Sequence, residues 1–227
     1  MRPRLHPNLT TFDQPQLQLW SEFSRLPAGF ILCGGTAVAL YLGHRPSFDF
    51  DFMGSAPFDP DELLSALPFL QGGAIVQKSE RTLTCVVDRD GAVKVSFFGV
   101  PDVRLTNEPN VAADNEVQIA SMIDLAGMKA AVVQKRAEAK DYVDLDAIFM
   151  QSEVNLPAAL TAAKAIYGAS FNPELTLKSL CYFEDGNLST LSQEVRKRLT
   201  TAVKNVDLEQ LPSSPPQRGT CPPEISH

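Results

Sequence analysis

At 227 residues and 44% hydrophobic content, the chain is long enough for one large globular domain, or for a core with an appended lobe. Its net charge of −7 argues against a general nucleic-acid binder, which carries a basic stripe, but leaves room for a local basic patch. No apolar run approaches the ~20 residues of a membrane span, Met1 to Thr10 hold no run of signal-peptide length, and Cys33, Cys85, Cys181 and Cys221 are scattered without metal-type spacing, which favours a reducing cytoplasm.

Residues 1–13 are mostly polar, with Pro3 and Pro7, and read as an ordered arm or a loose end. Leu17, Leu19, Trp20, Phe23 and Leu26 recur close to helical period, and Pro27 ends that helix. Phe30 to Cys33 is a short apolar run suited to a buried strand, broken by Gly34-Gly35. Thr36 is placed to cap a short helix with apolar positions Val38, Ala39, Tyr41 and Leu42. Gly43 stops that helix and Pro46 prevents its resuming.

From Ser47 to Phe52 the pattern alternates with period two. Phe48, Phe50 and Phe52 fall on one face, and Ser47, Asp49 and Asp51 on the other. Carboxylates two residues apart on a strand lie about 7 Å apart at their Cα atoms and can converge on one hard cation. Taken alone, this pair also fits the wet face of an edge strand. The glycines upstream point elsewhere, because they let a backbone approach a phosphate at the positive end of the following helix. A phosphate cradle beside a metal-binding carboxylate pair is what nucleotidyl transfer requires.

Asp59-Pro60-Asp61-Glu62 opens a helix with an acidic cap, proline in the first turn and acids near the positive end. Leu63, Leu64, Leu67 and Leu70 form its apolar side. After Gly72-Gly73, three strands are expected at 74–78, 82–87 and 92–98, with Arg89-Asp90-Gly91 as the hairpin turn between the last two. A last short strand is read at 116–120. Ser121 then caps a helix to about Arg136, with Asp124 in the place of a capping-box glutamate. Lys129 shares a face with Leu125, Val132 and Val133, so it is either a snorkelling stem or an ammonium aimed into a cleft. The next helix, 140–150, places Asp141 and Asp144 among apolar positions, where an acid needs a partner; Lys129 and Arg136 are at hand. Helices at 156–167, 173–183 and 192–208 complete a helical lobe. The expected architecture is α+β: a small mixed sheet with flanking helices over 1–120, a helical lobe over 121–210, and a disordered proline-rich tail over 211–227.

Gly34-Gly35-Thr36, the run from Leu42 to Asp51, Lys129, the run from Lys140 to Leu145, and the run from Leu177 to Phe183 together resemble the AbiEii/AbiGii-type toxins, nucleotidyltransferase-like proteins of the polymerase-beta superfamily. The resemblance covers most of residues 25–200. It implies an Mg²⁺-dependent transfer from an NTP to a tRNA 3′ end or a protein hydroxyl, in a toxin restrained by a separate antitoxin. On it, Asp49 and Asp51 hold the metal, while Gly34, Gly35 and Thr36 cradle phosphates and Lys129 neutralises them. His44 and Arg45 either bind phosphate or acceptor or stabilise the loop before Ser47. Asp141 is the preferred match to the family's active-site aspartate, with Asp144 the second choice. Ser96 departs from the superfamily pattern, which often has a third carboxylate there. Either two acids suffice, or Asp88, Asp102 or a later acid helps, or catalysis is weak. Two rivals stay open: a non-catalytic nucleotide- or protein-binding module, and a metal-dependent phosphoesterase.

Overall fold

The computed structural model describes residues 2–100 and 103–215. In chain order the strands and helices are β1 (Arg4–Leu5), α1 (Gln14–Glu22), β2 (Phe30–Cys33), α2 (Gly34–Leu42), β3 (Asp49–Gly54), α3 (Pro60–Ala66), β4 (Ala74–Ser79), β5 (Thr82–Asp88), β6 (Ala92–Gly99), β7 (Asn110–Ala112), β8 (Gln118–Ile119), α4 (Met122–Val132), α5 (Ala139–Gln151), α6 (Leu156–Tyr167), α7 (Pro173–Ser179) and α8 (Gln193–Lys204). Eight strands form one mixed sheet, ordered β1-β7-β8-β2-β3-β6-β5-β4. β3 lies between β2, antiparallel to it, and β6, parallel to it.

The sheet is wider than the small one expected. Its extra width comes from β1 and β7, which pair in parallel through Arg4 opposite Val111 and Leu5 opposite Ala112. The N-terminal segment is therefore an edge strand. Its two residues are too few to show a period. One connected body of buried side chains runs from Phe12 to Leu199 and joins sheet to helices.

Phe50 and Phe52 anchor β3 in an aromatic cluster. Phe50 stacks on Trp20 at 6.2 Å and meets Phe12 and Phe23 edge-on at 5.4 and 4.8 Å. Phe52 stacks on Phe97 at 5.3 Å. Phe48, expected on the same face, precedes the strand and is 61% exposed; the loop after Pro46 has not yet taken up the pleat.

α7 ends at Ser179 rather than Phe183, because the amides of Cys181 and Tyr182 close tight turns onto Lys178 and Ser179. α8 ends at Lys204 rather than Leu208, and Asp207 caps a separate 3-10 turn at Leu208–Gln210. Of the tail expected to be disordered, residues 216–227 lie outside the described residues, as does Asp102. Pro212, before them, accepts a hydrogen bond from Thr161 Oγ1 at 3.3 Å.

α4 crosses α6 at Gly127, where an added Cβ would fall 2.8 Å from the Ala163 amide nitrogen and 2.9 Å from Ala162 Cβ. Backbone cannot yield as a flexible side chain does. Gly127→Val should therefore cost stability in the overpacking range of about 1–3 kcal/mol, read as a lower urea midpoint.

Candidate active site

The site is built where β2 turns into α2, against the outward face of β3. Gly34 turns the chain at φ +76, in the left-handed region, and a Cβ there would lie 3.1 Å from Asp51 Oδ2. At Gly35 a Cβ would lie 2.5 Å from Arg45 Nη2. The two glycines thus make room for the Asp51 carboxylate and the Arg45 guanidinium. α2 starts at Gly34, with Cys33 as N-cap and no side chain capping it, so its first amides are open to an anion.

Thr36 does not cap α2. It lies inside the helix, buried, with its hydroxyl donating to the Asp49 carbonyl and 2.9 Å from Ser47 Oγ. Gln16 Nε2 donates to the Ser47 carbonyl at 2.6 Å. These bonds fix the approach to β3, and so the position of the acid pair.

Asp49 and Asp51 face a cleft of about 670 Å³ lined also by Gly34, Gly35, Arg45, Lys94, Ser96, Lys129, Lys135, Arg136 and Lys140. Lys94 Nζ is 2.7 Å from Asp49 Oδ2. Burial, then the charge of Asp49, raises the Asp51 pKa above its usual value, and Lys94 and a hydrogen bond to Ser96 offset part of this. Ser96 stands opposite Asp51 in the β3–β6 register. Among the described residues, no cluster of three or more His, Cys, Asp or Glu side chains forms a metal site. Asp88 is spent on the β5–β6 turn, where it accepts the Gly91 amide at 3.0 Å.

The opposite wall is a buried ionic network. Asp144, fully buried, takes Arg45 Nε and Nη2 at 2.7 and 2.8 Å, His44 Nε2 at 2.7 Å and Lys129 Nζ at 2.6 Å. Lys129 also donates to Asp141 Oδ1 at 2.7 Å, and Arg136 Nε meets Asp141 Oδ2 at 2.8 Å. Burial would raise the Asp144 pKa, but the His44 hydrogen bond and the charges of Lys129 and Arg45 outweigh it and hold the carboxyl well below its usual range. Asp141 is likewise lowered: Arg136 and Lys129 prevail over burial.

The structure therefore brings together Asp49, Asp51, Gly34, Gly35, Arg45 and Lys129 around one cleft, with Asp141 and Asp144 behind Lys129. The sequence reading missed Lys94, Lys135 and Lys140. Lys94 carried a signal, since at two residues' spacing it shares a strand face with Ser96, the position where the superfamily often has a third acid.

The mixed sheet with its flanking helices has the fold of solved nucleotidyltransferases. MenT4, a nucleotidyltransferase toxin of Mycobacterium tuberculosis, superposes with a TM-score of 0.58 at 16% identity, over 86% of this chain and 84% of that one. A putative nucleotidyltransferase from H. pylori gives 0.56 at 19% identity, over 84% and 92%. In sequence, an uncharacterised protein of Aquifex aeolicus is 33% identical over 158 residues, 69% of this chain and 74% of the relative. The AbiEii family, nucleotidyl transferase toxins of type IV toxin–antitoxin systems, matches residues 18–215, and the chain belongs to it as a nucleotidyltransferase. Among the described residues no helix is long and apolar enough to cross a membrane.

Two outcomes follow from the charges. Asp144→Ala leaves Arg45, His44 and Lys129 without their shared acceptor and should cost about 3–5 kcal/mol, the range for breaking a buried pair from one side. Lys129→Ala should cost less, because Asp144 keeps Arg45 and His44, and Asp141 keeps Arg136. Urea denaturation of the two variants checks the order. For Asp51 the sign is reversed. Its raised pKa means that ionisation opposes folding, so without metal Asp51→Asn should raise Tm at pH 7. That gain should fade as pH falls through the raised folded-state pKa of Asp51 and be gone below the ordinary carboxylate pKa of about 3.9, where the wild-type group is protonated in both states.

Proposed function

We propose that the protein transfers a nucleotidyl group from an NTP to the 3′ end of an RNA or to a protein hydroxyl, with Mg²⁺ held by Asp49 and Asp51. The observation that carries this reading is the pairing of two walls across one cleft: carboxylates on β3, and cationic side chains on α4, α5 and the segment between them. Two carboxylates on one strand face suit Mg²⁺, which usually takes one or two protein carboxylates and completes its shell with water and substrate phosphates. When bound, the ion would supply charge neutralisation at the reacting phosphate and lower the pKa of an acceptor hydroxyl. The elevated pKa of Asp51 fits a pair built to be compensated by a cation.

The phosphates would lie against the open amides at the start of α2, beside Gly34 and Gly35. Lys129 has three N–H donors and spends two on Asp141 and Asp144, and we assign the third to a phosphate oxygen. Asp141 and Asp144 act here as positioning residues, through Lys129 and Arg45. The regulatory partner would be a cognate antitoxin, in keeping with the family. The setting would be the cytoplasm, in keeping with free thiols at Cys33, Cys85 and Cys181.

Label transfer from each α-³²P NTP to total RNA and to total protein tests the reading and sorts the acceptor. Asp49→Asn and Asp51→Asn should each lower transfer by about a hundredfold to a thousandfold or more, matching the several kcal/mol a metal supplies. Both should keep wild-type folding by circular dichroism. Wild-type turnover in either variant would remove the metal assignment.

A further inference from the structure

β6 brings a cation to the acid pair where a third acid was sought. The parallel register sets Lys94 opposite Asp49 and Ser96 opposite Asp51, so both side chains project to the face that carries the carboxylates. Lys94 Nζ is 2.7 Å from Asp49 Oδ2, and the two side chains are 41% and 40% exposed. Lys129 differs sharply: its side chain is 5% exposed and clamped between two buried carboxylates. An ion pair as open as Asp49–Lys94 holds little folding energy. Its effect is on the charge of the site, which it reduces from that of two carboxylates to that of one. A lysine suits such a role, being a compact charge on a flexible four-carbon stem that can change partner.

We propose that Lys94 is a tethered counter-ion that holds the Asp49 oxygen a divalent cation would use, so that free metal binds the nucleotide-free protein poorly and enters with the nucleotide. The phosphates then supply the missing metal ligands and offer the displaced ammonium a new anionic partner. This rests on the reading of Asp49 and Asp51 as the metal-binding pair. Coulomb's law sets the scale: a monovalent and a divalent cation about 5 Å apart in water repel enough to weaken binding by about tenfold.

The test is Mn²⁺ binding to the full chain without nucleotide, read from the electron paramagnetic resonance of free Mn²⁺. Lys94→Met should bind about tenfold more tightly than wild type, and Lys94→Arg, which keeps the charge, should stay near wild type. Adding a non-hydrolysable NTP analogue should shrink the difference between Lys94→Met and wild type. Equal affinity of wild type and Lys94→Met without nucleotide overturns the role of Lys94, as does a gap that the analogue leaves unchanged. The double variant Asp49→Asn with Asp51→Asn separates the two levels. If it binds Mn²⁺ as well as wild type does, the ion is not on this pair and the metal assignment itself fails. Thermal melts of all variants confirm that each is folded at the titration temperature.

Discussion

The register of β3 decides which of its side chains face the cleft. Phe50 and Phe52 are gripped by Phe12, Trp20, Phe23 and Phe97. Because side chains alternate along a strand, a slip of one residue would exchange the two faces. Asp49 and Asp51 would then enter the aromatic cluster, whose Trp20 N–H is already given to Asp114, and burying an unpaired carboxylate is among the costliest changes a fold can suffer. The packing of four rings against two phenylalanines is thus what aims two acids into a cleft. Thr36 and Gln16 tie down the approach to the strand, so that the first acid is held as firmly as the second.

Two arrangements of charge of opposite character face each other across that cleft. Asp49 and Lys94 meet in the open, where water screens them and partners exchange easily. Asp144 and Asp141 are sealed behind Lys129, Arg45, His44 and Arg136, with every strong acceptor position engaged at close range. Burial has raised the pKa of Asp51, which has only partial compensation, while the carboxylates of the sealed network sit below their ordinary values. One wall tolerates a change of ionic partner, and the other serves as a rigid abutment for it.

What could be read in the sequence was local. The alternation at 47–52 carried the acids to one face, the glycine pair marked the turn, and the apolar neighbours of Lys129, Asp141 and Asp144 foretold that these charges would be buried and in need of partners. The identity of the partners was not legible, because no periodic pattern says that Arg45 meets a residue 99 positions away. The same holds for Lys94 and Asp49, which become neighbours only through the parallel pairing of β3 with β6. β1 and β7 escaped notice because strands of two and three residues are defined by each other and not by their own composition. Thr36 looked like a cap because threonine after glycine commonly is one, whereas here its hydroxyl reaches across to Asp49.

The separation between Arg45 and Asp144 bears on how the molecule comes into being. Chains are made from the N-terminus, and domains tend to fold as their residues become available. The acid pair, the glycine turn and Lys94 are all synthesised before α4 and α5. During that interval His44 and Arg45 have no carboxylate to hold them, and the cleft has only its sheet wall. Closing a contact across 99 residues also carries the entropy of a long loop, which places it late among folding events. A nascent or prematurely terminated chain lacks the half of the cleft that α4 and α5 provide, so the two walls face each other only once that half has been made.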